Sequence, residues 1–266
     1  MKVYLMTDLE GVAGVLDIAN WCCNNSRYYD LAKKLLTDEV NAAIDGFFAA
    51  GADEVVVQDG HGTGAIDINL LDKRATLQNK WDGPYPFGLD ESYDVMAWVG
   101  QHPKSGTGYG HLCHTGSMAV LDSTINNISV GEYGVHVFLG QIFNVIPIFA
   151  SGCRAFTKEA KSLVKGIETV AVKKGTKSGT GDECGPKEYE VRNTVAVHLK
   201  HKKACKLIRR GAKKSLKRFM ANPNVFKPIK IHPPYSSTVI FRATETSPQL
   251  TIKKDNFDDL VLLLNS

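Results

Sequence analysis

Carboxylates and imidazoles recur in this 266-residue chain at the places where apolar runs end. Asp8 and Glu10 follow the run at 3–6, and Asp59 and His61 follow the run at 54–58. His102 follows the run at 93–100, with His111 and His114 shortly after, and Glu132 stands where a helical pattern begins. Hard carboxylate oxygens and borderline imidazole nitrogens in one set suit a divalent cation, zinc first and also manganese or cobalt. One catalytic ion takes three protein ligands and keeps a position open. Asp8, Glu10, His61, His102 and Glu132 are too many for that. Two ions about 3.5–4 Å apart, sharing a carboxylate, would use all five. Asp8 lies tightest against a strand end and is the natural bridge.

Each residue also has an ordinary reading. A single D-x-E or D-G-H is a common polar turn, and an isolated histidine commonly makes a packing hydrogen bond. His136, His198, His201 and His232 are read that way. What separates the five candidates is that four successive element ends each deliver a ligand type.

Those ends must be brought to one edge by the elements behind them. The short apolar run at 3–6, a helical pattern at 29–50 and a β-branched run at 54–58 make a strand–helix–strand unit, which requires a parallel sheet. Further strands are expected at 93–100, 145–150 and 169–173, with helices at 131–143 and about 157–165. In open parallel sheets ligands bind beyond the carboxyl ends of the strands, where the candidates fall. Residues 174–186, rich in Gly, Ser, Thr and Lys, read as a loop, and 188–220 as one long helix. Strands at 237–243 and 250–252 and a helix at 256–264 suggest a smaller α+β unit. The expected organisation is an α/β metal-binding catalytic domain over 1–186 and a smaller α+β domain over 187–266, used for oligomer contacts.

Composition narrows the function classes. A net charge of +4 is too small to indicate nucleic acid, and the basic stretch from Lys200 to Arg218 lacks the interleaved aromatic residues that stack on bases. It reads as a solvated helix face, with no nucleic-acid partner expected. No apolar run reaches the roughly 20 residues of a membrane span, and the first residues lack a secretory pattern, so a cytoplasmic protein without membrane contact is expected. The six cysteines form no C-x-x-C pair and read as reduced thiols.

The motifs together resemble the M55 family of metallopeptidases, of the D-aminopeptidase type. T-D-L-E-G at 7–11 is similar to that family's S-x-D-x-E-G signature, with Thr7 for serine. The stretch at 36–62, Gln101-His102, residues 112–115, residues 130–134 and residues 166–172 resemble further blocks in the same order, so the likeness covers about residues 1–215. It implies a three-layer α/β/α domain with a smaller second domain. It also implies a zinc aminopeptidase with two ions per chain, acting on short peptides, D-amino acids possible at their N-termini. The family's metal ligands fall on Asp8, Glu10, His61, His102 and Glu132, and its catalytic histidine on His114. The implied assembly is a homo-oligomer of two stacked pentamer rings. The chain departs from the pattern at Cys113, where serine is common, and at 151–154, where an acidic run is usual; residues 244–250 look shortened. Two other functions compete: a peptide-binding or transport-accessory protein without activity, and a metal-dependent hydrolase of another amide or ester.

Overall fold

A computed structural model describes residues 1–79 and 85–266. The chain opens with β1 (Lys2–Thr7), a short α1 (Ile18–Trp21), α2 (Tyr29–Phe48), β2 (Glu54–Asp59) and β3 (Thr76–Gln78). Then come β4 (Val95–Gln101), β5 (Val120–Ile125), β6 (Ile128–Ser129), α3 (Glu132–Ile142), β7 (Ile146–Cys153) and α4 (Arg154–Leu163). The two-residue β8 (Val164–Lys165) precedes β9 (Glu168–Gly175), α5 (Pro186–Arg192), β10 (Ala196–His198) and α6 (His201–Ala221). The tail holds β11 (Lys227–Pro228), β12 (Tyr235–Phe241), β13 (Leu250–Phe257) and α7 (Leu260–Asn265).

Seven strands form the main sheet in the order β10-β9-β7-β4-β1-β2-β3. Every pairing in it is parallel except that of β10 with β9. The central strands are apolar on both faces, as a sheet covered on both sides requires: β1 is buried from Val3 to Thr7 and β4 throughout. Helix α2 turns Ala32, Leu36, Val40, Ala43 and Phe47 inward at helical spacing. With Ile208, Ala212 and Leu216 of α6 they close the core on one face. Tyr133, Val137 and Phe138 of α3 and Phe156 and Ala160 of α4 close the other. The result is a three-layer α/β/α arrangement with a mainly parallel sheet. A separate antiparallel sheet runs β13-β12-β5-β6.

Two glycines let the strand ends converge. Gly100 has φ +84°, and a Cβ there would collide with the Asp8 carbonyl oxygen; a Cβ at Gly11 would collide with the carbonyls of Gly100 and Gln101. Both positions therefore need glycine. Thr7 pairs with Asp59 on one side and Val99 on the other, so β1 and β2 end level and β4 runs on two residues to Gln101.

The long helix expected at 188–220 is instead broken into α5, β10 and α6. The run Thr194-Val195-Ala196-Val197 is rich in β-branched residues, and it lays β10 antiparallel along the edge of β9. Helix α4 starts at Arg154 rather than near 157, and α7 is confined to Leu260–Asn265 because β13 runs on to Phe257. Sheet membership crosses residue 186 in both directions. β10 and α6 belong to the three-layer body, while the second sheet takes β5 and β6 from before that point and β12 and β13 from after it. Among the described residues, no helix is long and apolar enough to cross a membrane.

Candidate metal centre

The chain turns sharply at the end of β1. Asp8 N–H donates to Val99 O (3.0 Å) and Gly11 N–H to Gly100 O (2.6 Å), tying 8–11 to β4. Asp8 keeps one carboxylate oxygen on its neighbour, accepting from Leu9 N–H (2.8 Å), and points the other at His102 Nε2, 3.3 Å away. Glu10 faces His61, with Oε1 3.3 Å from Nε2. His61 stands in the turn after β2. Asp59 builds that turn, accepting from Ala65 N–H (2.8 Å) and Ile66 N–H (3.0 Å). Asp59 thus shapes the loop and is not a ligand candidate. Glu132 lies in the first turn of α3, where the helix dipole favours a carboxylate. Its Oε1 accepts from Gly116 N–H (2.8 Å), and its Oε2 lies 3.2 Å from Gln101 Nε2 and 3.3 Å from His102 Nε2.

His114 joins the group. Its ring stacks on His102 at 3.8 Å between centroids and 16° between planes, and its Nε2 is 4.0 Å from Glu132 Oε1. Each ring is oriented by a carbonyl: His102 Nδ1 lies 3.0 Å from Pro103 O and His114 Nδ1 3.0 Å from Leu112 O. A carbonyl oxygen only accepts, so Nδ1 carries a proton and Nε2 is the nitrogen that faces the cluster, the orientation a metal ligand needs.

Two sets of donor atoms result, each within 4.8 Å of one another: Asp8, Glu10 and His102, and His102, His114 and Glu132. His102 belongs to both. His61 adds to the first set through Glu10. The five candidates expected from the sequence therefore meet in one cluster, and His114 stands beside it, its Nε2 4.0 Å from Glu132 against 3.3 Å for the ring nitrogens of His61 and His102. His111, only three residues before His114, faces the other way and contacts Leu16 O and Thr194 O. Between the two histidines Leu112 adopts a left-handed conformation with φ 52°, which a leucine tolerates only at a cost of about 1–3 kcal/mol.

The donors fit a cation. Among the described residues, Asp8 Oδ2 and Glu10 Oε2 are buried with no hydrogen-bond partner, a costly state for a carboxylate. His102 Nε2 also faces two carboxylate oxygens at 3.3 Å, a spacing that calls for positive charge between them, a proton or a cation. Proton affinities show the same tension. Burial, then the charge of Glu10, pushes Asp8 well up. Burial opposes ionisation of Glu10 and Glu132, but His61 and His102 respectively overcome it and hold both low. Burial disfavours charge on His61 and His102 as well, yet their carboxylate neighbours raise them. Burial and the neighbouring His102 lower His114.

The cluster opens into a cleft of about 670 Å³ whose far wall is Cys22, Cys23, Asn24 and Asn25. Past Tyr85, Gly116 and Glu132 it meets an apolar trough floored by Val239, Phe241 and Ile252 of the second sheet. The 22–25 wall escapes sequence reasoning, and Gln101 stands out there only as the neighbour of His102; its place beside Glu132 is visible only once strand ends and loop are placed together. Cys113 and Cys153 are buried and do not line the cleft. Cys113 lies 3.5 Å from Thr107 O, and Cys153 packs in the core beneath α3 and α4.

Comparison with known proteins gives the same direction. The family model Peptidase_M55, described as D-aminopeptidase, matches residues 1–254. A D-aminopeptidase of Bacillus subtilis (strain 168) is 28% identical over 176 residues, a stretch that spans 65% of this chain and 64% of that protein. A solved structure described as the Zn-dependent D-aminopeptidase DppA from Bacillus subtilis, a self-compartmentalizing protease, has a similar fold. It superposes with a TM-score of 0.82 over 98% of this chain and 93% of that one, at 21% identity.

Proposed function

The chain belongs to the M55 peptidase family, and from that premise we propose that it is a zinc-dependent aminopeptidase. It removes N-terminal residues, D-amino acids among them, from short peptides, at a centre holding two ions per chain. The observation that carries this reading is the pair of donor sets sharing His102, whose buried Asp8 Oδ2 and Glu10 Oε2 have no hydrogen-bond partner among the described residues. Asp8, Glu10, His61, His102 and Glu132 would hold the ions. When bound, zinc supplies Lewis acidity and lowers the pKa of water toward neutrality.

The remaining chemistry falls to the chain. His114 keeps its Nδ1 proton on Leu112 O, which leaves Nε2 free beside Glu132. Burial and the neighbouring His102 lower the ring's proton affinity, so Nε2 is unprotonated at neutral pH and open to accept a proton. Nε2 takes a proton from the attacking water and returns it to the departing amine. Glu132 holds the resulting imidazolium by charge. Gly116 N–H and Gln101 Nε2 keep Glu132 fixed during that exchange. The apolar trough gives room for peptide residues beyond the scissile bond.

Zinc-loaded protein is assayed against D- and L-aminoacyl amides and short peptides. Release of the N-terminal residue, fastest from D-aminoacyl substrates, is expected. Turnover of esters or non-peptide amides alone would move the reaction to another bond, and peptide binding without turnover would make the chain a binding protein.

The chain is also proposed to form stacked pentamer rings, a decamer that encloses its clefts, in the cytoplasm. The self-compartmentalizing description of the similar structure supports enclosure. Light scattering should give a mass near ten chains, and a stable monomer at micromolar concentration would refute the ring.

A further inference from the structure

Behind the cleft, the stretch that follows Glu10 is fastened at four consecutive residues. Ala13 N–H donates to Glu39 Oε1 (3.0 Å) and Gly14 N–H to His198 Nδ1 (3.1 Å). Lys173 Nζ donates to Val15 O (3.1 Å), and His111 Nε2 contacts Leu16 O (3.0 Å). The four side chains come from α2, β10, β9 and the loop before His114. Glu39 and His111 are fully buried and Lys173 is 3% exposed. None of the four lines the cleft.

Stability does not explain this arrangement. Removing an ammonium and a carboxylate from water costs several kcal/mol each, and apolar groups of the same shape commonly serve a core better. Among the described residues Lys173 has no carboxylate within ion-pair distance, and Glu39 has only the imidazole of His201, 3.8 Å away. The groups are mutually consistent, however. Burial, then the charge of Lys173, holds His111 down to about 2, and burial with Lys173 holds His198 down to about 4. His198 must be neutral, because its Nδ1 accepts from Gly14.

What the four contacts accomplish is to locate a backbone. Residues 13–16 cannot shift without breaking two buried and two part-buried hydrogen bonds at once. Glu10 lies three residues upstream of this fastening, in the short span held to β4 by the Asp8–Val99 and Gly11–Gly100 bonds, so the fastened stretch directly continues the span that carries it. From that position its carboxylate reaches His61 and the Asp8 set.

We propose that Glu39, Lys173, His111 and His198 are positioning residues for the metal centre, setting the place of Glu10 through the backbone of residues 13–16. This rests on the metal-dependent reading above. Outer partners of a metal ligand typically alter affinity about 10–100-fold.

The test is zinc affinity, measured by competition with a chromophoric chelator, together with the absorption spectrum of the cobalt(II)-substituted protein. Lys173→Met keeps length and removes the donor. Glu39→Leu removes the acceptor for Ala13, and Glu39→Gln keeps it. Lys173→Met and Glu39→Leu are expected to weaken one of the two ions by about tenfold or more and to alter the cobalt spectrum, with the far-ultraviolet circular dichroism of wild type. Glu39→Gln should restore affinity to near the wild-type value, which a merely structural role would not require. If Lys173→Met does not fold, the Glu39→Leu and Glu39→Gln pair makes the same comparison. Wild-type protein that binds no zinc overturns the metal reading itself. Wild type that binds two ions, with Lys173→Met or Glu39→Leu binding both as tightly, overturns the positioning role alone.

Discussion

Two pairs of histidines flank the stretch that carries Glu10, and they have opposite surroundings. In the cleft His102 and His114 stack beside Asp8, Glu10 and Glu132. On the other side His111 and His198 meet edge to face, 5.3 Å apart, beside the ammonium of Lys173. Carboxylate neighbours draw positive charge to His102, whereas burial and a lysine keep the second pair neutral. A buried imidazole therefore has no role of its own: the sign of the charge around it makes one pair ligand-like and the other a hydrogen-bonding fastener. His111 and His114, three residues apart, end on different sides, with Leu112 between them in a left-handed conformation.

Substitutions can break this contrast, and the largest effect belongs to the cleft. Asp8→Ala removes an oxygen that faces His102 and is expected to lose zinc and activity together, with a greater loss of occupancy than Glu10→Ala; metal analysis after gel filtration checks this. His114→Ala should lower kcat by about 10²–10⁴-fold while zinc content stays unchanged. Zinc lost in proportion to activity would make His114 a ligand. His111→Gln, on the opposite side, should cost no more than about tenfold in kcat. Equal damage at 111 and 114 would erase the distinction.

A smaller effect is expected in acid stability. The unfolded chain takes up a proton on His111 below about pH 6.5, whereas the folded chain does so only near 2. The stabilisation tied to the neutral ring is thus complete above about pH 6.5 and is lost as pH falls toward the folded value. His111→Gln should therefore show a shallower decline in urea-unfolding free energy between pH 6 and pH 5 than wild type, by about 1 kcal/mol per pH unit. Parallel declines would mean that His111 is protonated in the folded protein.

The ligand set was legible because its residues sit where apolar runs stop, and a parallel sheet collects such stops at one edge. The fastening was not. Glu39 lies within an amphipathic helix and Lys173 within a strand followed by another lysine, so each reads as an ordinary solvated side chain. β5 escaped for a related reason: Asp122, Ser123 and Thr124 interrupt its apolar pattern, since that sheet is only partly covered. The break in the 188–220 helix depends on an edge of β9 that only the fold supplies.

The most direct test is the metal content of wild-type protein purified without chelator. Elemental analysis against amino-acid quantitation should give close to two ions per chain, mostly zinc, retained after dialysis. A value at background would contradict the metal centre, and a value that saturates at one would contradict the two donor sets that share His102.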